Sequence, residues 1–264
     1  MTMKRYIRIY LKLLEMNFST LVAYRDNLIN SLMSSVAWGT FSFLSIIILT
    51  SRTTSIFGWK SEEIILLTAI FSIIVGIFHS LFSRNFENLP NNILYGKFDG
   101  ILAKPVDSQF FSGCSIVTYT PFVRVIFGVI AIGIILRSLH VSVGIPEIVL
   151  FFCMIGCSVI LLYSLWSIVV TMLFWNPRLS NVVDVMYTVT GMVRYPGEMY
   201  KNIRSGLFIA ILPLTFVAVT PVKVLIRSYG LYDIVGLVGF TVILLYISRI
   251  YWKFALRFYS SVSS

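Results

Sequence analysis

Charge is what this chain has least of. Asp, Glu, Lys and Arg make up 12% of its 264 residues, against about 25% in a soluble domain. Histidine occurs twice and cysteine three times, and these shortages exclude most catalytic chemistry. Neither His79 nor His140 has a cysteine or carboxylate at ligand spacing, so no metal site is expected, and His79 reads as a polar packing residue. Cys153 and Cys157 share a helical face beside Gly156 and suit close packing between membrane helices. Cys114 stands alone, so no disulfide framework is implied. A phosphate loop of the form Gly-x-x-x-x-Gly-Lys-Ser/Thr is missing, since Gly96-Lys97 is followed by Phe98. The chain is therefore not expected to bind ATP in that way. It reads as a non-enzymatic protein with no cofactor of its own, whose energy comes from a gradient or from another subunit.

In place of charge the chain has apolar length. Hydrophobic residues make up 58% of it and the mean hydropathy is +0.89. Residues 28–50, 64–83 and 148–175 carry no charge, and each run reaches the roughly 20 residues that cross a bilayer. The expected fold class is an all-α integral membrane protein, a single transmembrane domain over 1–264. Six transmembrane helices are expected at about 28–50, 63–83, 110–136, 147–174, 181–196 and 232–252. The third holds Pro121 and Arg124, and the fifth carries Asp184. Residues 207–222 are uncharged but short for a crossing and twice interrupted, by Pro213 and Pro221. They predict a re-entrant helical hairpin over about 205–226.

Lysine and arginine flanks are retained in the cytoplasm, and their count favours six spans with both termini inside over seven. The stretch from Arg194 to Arg227 runs against that count, being assigned to the outer side while holding Lys201, Arg204 and Lys223 with one acid, Glu198. At the N-terminus Tyr6, Ile7, Tyr10, Leu13, Leu14 and Phe18 recur at helical spacing among Lys4, Arg5, Arg8 and Lys12. That stripe predicts an amphipathic interfacial helix over about 4–20, on the inner headgroup layer. The alternative is the plain cytoplasmic start of the first span. No small-residue cleavage site follows a short apolar core, so a signal peptide is not expected. The net charge of +10 sits on these flanks and points to anionic lipid, with no nucleic-acid partner.

A gradient-driven carrier would show charges deep in its spans and paired broken helices in two related halves. Only Arg124 lies deep, Asp184 and Asp233 lie near span ends, and the halves show no repeat. Attention falls instead on residues 84–109, a polar segment between the second and third spans. Phe98, Ile101 and Leu102 fall on one helical face, Asp99 stands where it can cap the helix start, and Pro105 ends the pattern. Such a segment either docks in a groove on another protein or lies as an inert loop on the headgroups.

At these residues the chain resembles the membrane subunits of type-2 ABC exporters, the six-span branch that works with a separate ATPase subunit. The resemblance rests on residues 96–105 (Gly-Lys-Phe-Asp-Gly-Ile-Leu-Ala-Lys-Pro), on Arg194-Tyr195-Pro196, and on Ile211-Leu212-Pro213 followed by Thr220-Pro221. It covers essentially the whole chain in order and span spacing. It implies a half-permease in the inner membrane of a prokaryote. There it would pair with a second permease chain, identical or related, and sit on two ATP-binding-cassette ATPase subunits that bind ATP and Mg. Gly96, Phe98, Asp99, Leu102 and Pro105 would form the ATPase-coupling segment, with Phe98, Asp99 and Leu102 touching the ATPase. Arg194, Tyr195, Pro196, Pro213 and Pro221 would shape the outer gate, and Phe78, Met186, Tyr187 and Val193 would line the substrate path. The cargo class would be an amphipathic drug, antibiotic, lipid or peptide. A secondary carrier and a non-transporting membrane scaffold are the alternatives.

Overall fold

The computed structural model describes residues 3–259 apart from 24, 53, 54, 57, 142, 180 and 201–204. Lys201 and Arg204, counted above on the outer side, therefore lie outside the described residues. The chain is helical nearly throughout, with one two-residue ladder, β1 (Ser55–Ile56) against β2 (Trp59–Lys60), in the turn between the first two long helices. In order the helices are α1 (Met3–Ala23), α2 (Arg25–Thr50), α3 (Ser61–Phe78), α4 (Arg84–Leu94), α5 (Asp99–Leu102), α6 (Ser108–Cys114), α7 (Phe122–Ser138), α8 (Ile145–Thr171), α9 (Val182–Gly191), α10 (Ser205–Leu225) and α11 (Leu231–Ala255). Among the described residues four helical stretches are long and apolar enough to cross a membrane: Leu28–Thr50, Ser61–Leu94, Ile145–Phe174 and Leu231–Phe258. They overlap the first, second, fourth and sixth expected spans, the second running on to Leu94. The fifth is shorter, α9 extended by a 3-10 turn over Met192–Arg194.

Two helix pairs carry the architecture. α3 packs along α7, and α8 packs along α11 with α10 beside them. The α3–α7 contact is close because glycines occupy it: a Cβ on Gly128 would lie 2.6 Å from the Ala69 carbonyl oxygen and 2.5 Å from Ile73. The α8–α11 pair is parallel, since Thr241 Oγ1 donates to the Cys157 carbonyl and Gln109 bridges Ser167 and Ser248 from one end. An aromatic seam joins the pairs. Phe78 and Phe86 pack on Trp166, at 5.2 and 6.0 Å between ring centres, and Phe82 lies 5.0 Å from Tyr163.

The segment expected as a third span departs from a continuous helix over 110–136. It is split into α6 and α7 by an unwound stretch at 115–121. Pro121 has no N–H to give, and the buried groups of the opened backbone need protein partners. It finds them on the second span. Between α3 and α4 the helix widens into a π turn, His79–Ser83, which leaves carbonyls available. Thr118 N–H donates to the Ser80 carbonyl at 2.9 Å, Thr118 Oγ1 donates to the His79 carbonyl at 3.1 Å, and the Ser80 hydroxyl donates to the Thr118 carbonyl. One turn later Asn85, 2% exposed, closes the rest: its amide donates to the Ile116 carbonyl at 2.7 Å and its oxygen accepts from Ile116 N–H at 2.8 Å.

α10 is the second departure. Residues 205–225 form one helix with both prolines inside it, where a hairpin was expected. Pro221 cannot donate to the carbonyl four residues back, which belongs to Val217. The Ser158 hydroxyl of α8 donates to that carbonyl at 2.6 Å, so the helix continues with no orphaned group at this point. α1 matches its expectation as a helix and is pinned by the break: Asn17 donates to the Ser115 carbonyl, and Tyr119 donates to the Leu14 carbonyl. Ile7, Leu11, Met16 and Phe18 remain exposed on it, while Tyr6, Tyr10, Leu13 and Leu14 are half-buried.

Asn85→Leu keeps the branched side-chain shape but strands the N–H and C=O of Ile116, and each buried unsatisfied group costs about 1–3 kcal/mol. The variant is expected to melt several degrees below the wild type in detergent micelles, by roughly 2–4 °C per kcal/mol. A melting temperature equal to that of the wild type would show that the break does not rely on Asn85.

Candidate partner-docking site

Residues 95–107 form a stiff projection from the bundle. α4 continues α3 through the π turn and ends where Gly96 takes a φ of +69°, a left-handed conformation that favours glycine. The chain then re-enters helix at α5, with Phe98 N–H bonded to the Asn92 carbonyl at 2.9 Å. Phe98 points inward. It is 0% exposed, with ring centres 5.0 Å from Phe174, 5.1 Å from Tyr259 and 6.2 Å from Trp252. Phe98 is thus the anchor of the segment, and the expectation that it touches a partner directly is corrected: a ring enclosed by three aromatics of its own chain offers no surface. Asp99 is the first residue of α5 and accepts the Tyr259 hydroxyl at 2.9 Å. Burial, and then Asp99, push that hydroxyl up to about 12, so it stays a donor at neutral pH.

The outward side of the projection is different. Tyr95 is 68% exposed and Leu102 42% exposed, with Leu94 beside them at 41%. Gly100, Ala103 and Pro105 are also exposed, as is Lys97. Lys104 lies over the Phe111 ring, 3.8 Å from its centre. The result is a small apolar tip with basic edges on a rigid base. Tyr95, absent from the expected contact set, was signalled only by its place before Gly96.

A clamp holds the far end of the segment. Asp107 caps α6 by accepting from Phe110 N–H at 3.0 Å, and its two carboxylate oxygens receive both Nη atoms of Arg249, one at 2.7 Å. Gln109, 5% exposed, accepts from Arg249 at 3.0 Å and donates to Ser167 at 3.0 Å, while Trp252 Nε1 donates to Ser108. Partial burial alone would raise the Asp107 carboxyl, but the Arg249 and Phe110 hydrogen bonds outweigh it and hold it below the ordinary 3.8. The segment is therefore tied at both ends to the last turns of α8 and α11.

The other expected site residues are scattered. Phe78, Met186 and Val193 are buried at 0, 4 and 2% exposure. Tyr187 donates to Glu87 and lines a polar cavity of about 400 Å³ with His79, Ser83 and Arg84. Arg194 lies over the Phe71 ring, 5.4 Å from its centre, about 15 Å along α3 from Ser61. Tyr195 is extended and Pro196 buried, while Pro213 and Pro221 are in α10.

Long apolar helices, a helix break closed by protein partners and an exposed apolar tip fit a multi-pass membrane protein. The chain belongs to the ABC-2 family of transporter proteins, whose model, described as ABC-2 family transporter protein, matches residues 36–263. Its class is that of the membrane permease component of an ABC transporter. Comparison with curated proteins and with solved structures gave no match.

Asp107→Ala should release residues 95–107, raising their amide exchange at least tenfold while the middle of α8 stays protected. The folded carboxyl titrates below its unfolded value, so the clamp contributes fully above about pH 4 and is lost as pH falls through the lower folded value. Exchange that does not change in the variant would remove the clamp from the account.

Proposed function

We propose that the chain is one half of an ATP-driven export permease and that the 95–105 tip receives the push of an ATPase subunit. The observation that carries this reading is the combination of an exposed Tyr95 and Leu102 with a base locked through Phe98, Asp99 and Asp107 to α8 and α11. A floppy loop would absorb a displacement, whereas this one passes it to the cytoplasmic ends of two spans. In this reading the tip and both termini are cytoplasmic, six spans cross an inner membrane, and a second permease chain, identical or related, completes the path. Two ATPase subunits hold the ATP and Mg.

Amphipathic cargo is supported by an apolar cavity of about 490 Å³ against the clamp, lined by Phe82, Phe110, Ile160, Tyr163 and Leu245 with Gln109 and Arg249. A cavity of that size suits a ligand with a large apolar body and a few polar contacts.

The test is extraction of the tagged chain with its neighbours in mild detergent. An ATPase subunit with vanadate-sensitive hydrolysis is expected to co-purify. Tyr95→Ala with Leu102→Ala should weaken that association, since buried interface anchors cost about 2 kcal/mol or more, roughly thirty-fold in affinity. Phe98→Ala should weaken it by loosening the base. Transport by the purified chain alone under an ion gradient would establish the carrier reading instead, and an unaccompanied, inactive chain would establish a scaffold.

A further inference from the structure

Two arginines meet inside the membrane region with no acid to balance them. Arg124 stands in the first turn of α7 and Arg194 at the end of the turn that follows α9, and both line one small cavity of about 40 Å³. Its remaining walls are Trp38, Gly39 and Ser42 of α2 and Phe71, Ser72 and Val75 of α3. Trp38 to Ser42 fall in the middle of the first apolar span, Leu28–Thr50. Phe71 to Val75 lie about 15–21 Å along α3 from its start, so the cavity sits near the centre of a hydrocarbon layer about 30 Å thick.

The polar groups here are unfinished. Ser42 is 6% exposed, and its Oγ, Arg124 Nε and Arg194 Nε are buried without a hydrogen-bond partner among the described residues. The nearest polar contact of Arg124 is His79, with Nη1 3.3 Å from Nδ1, and Arg194 has the Phe71 ring. Every Asp and Glu is among the described residues, and none forms an ion pair with either arginine. Glu87 holds Arg84, Asp107 holds Arg249, Glu147 holds Arg227, Asp233 holds Lys223, Glu15 holds Lys12, and Glu198 accepts from Trp59.

Charged side chains at this depth are costly and pair with one another or with a ligand. Two guanidiniums around a void demand negative charge. We propose that the cavity is an anion site, holding one small anion or the anionic group of a bound amphipath between Arg124 and Arg194, with the Ser42 hydroxyl as a third donor. The volume admits a halide ion or a few carboxylate or phosphate oxygens, and excludes a bulky anion. The site bridges α2, α3, α7 and the end of α9, so occupancy ties the first span to the other three. It stands apart from the export reading, because it rests only on charge, depth and space.

The full chain, in nanodiscs of zwitterionic lipid, is melted in chloride, bromide or gluconate at equal ionic strength. The wild type is expected to gain ~5 °C in chloride or bromide over gluconate, saturating with halide concentration. Arg124→Gln and Arg194→Gln should each abolish the gain, while Arg124→Lys should keep part of it. If halide has no effect but an anionic lipid or other anionic amphipath stays bound through purification, and is lost in the double glutamine variant, the occupant is that head group and the site stands. Wild-type melting that is the same in all three salts, or varies linearly without saturation, with no retained anionic amphipath, overturns the proposal. The wild-type arm decides even if the glutamine variants do not fold.

Discussion

The unwound stretch at 115–121 lays backbone amide and carbonyl groups against the α3–α4 stretch and α1, and those of them that are cut off from water must be satisfied by protein. This constraint organises the middle of the molecule. The π turn at His79–Ser83 exists where carbonyls are needed by Thr118, and Asn85 is buried because Ile116 needs both a donor and an acceptor. α1 is drawn down onto the same stretch through Asn17 and Tyr119. Three separate parts of the chain thus hold their positions because one helix is interrupted.

The same bookkeeping explains why the prolines of α10 do not end it. Pro221 orphans the Val217 carbonyl, and Ser158 of the neighbouring helix supplies the missing donor. Gly236 adds to this by admitting Phe216 so closely that a Cβ would lie 2.7 Å from its ring. The adjoining turn is then fixed by two ion pairs, Lys223 with Asp233 at 2.7 Å and Arg227 with Glu147 at 3.1 Å. Because the last of these reaches α8, the helices α8, α10 and α11 are joined at this end as well as at the clamp.

Much of the layout is legible in the sequence because it is carried by local signals. Apolar runs without charge identify three of the four long helices, a shorter run between Asp233 and Arg249 the fourth, and turn residues around Gly96 with Phe98 and Asp99 identify the projecting segment. What is not legible depends on partners far apart in the chain. Asp107 and Arg249 are 142 residues apart, and neither announces the other. Phe98 looks like an exposed anchor on its own helix and is buried only because Phe174, Trp252 and Tyr259 return to enclose it. Pro121 was visible as a blemish, but whether it kinks or opens a helix is decided by Ser80 and Asn85 across the gap. Arg194 reads as a flank because it ends a span, and only the short rise of α9 leaves it beside Phe71.

The two helix pairs give these contacts a mechanical sense. The projecting segment grows out of the α3 and α7 pair, since α4 is a continuation of α3, yet its anchors belong to α8 and α11. It is therefore a strut between the pairs at one end of the bundle. Along their length the pairs touch through the aromatic seam of Phe78, Phe82 and Phe86 against Tyr163 and Trp166. Stacked rings hold by area and shape, without the directional bonds that lock the clamp, so sliding there costs less than breaking Asp107 from Arg249. A force on the tip meets a rigid joint on the α8 and α11 side and a softer seam behind it. α10 packs on α3 as well as on α8 and α11, so it bridges the two pairs beside the seam.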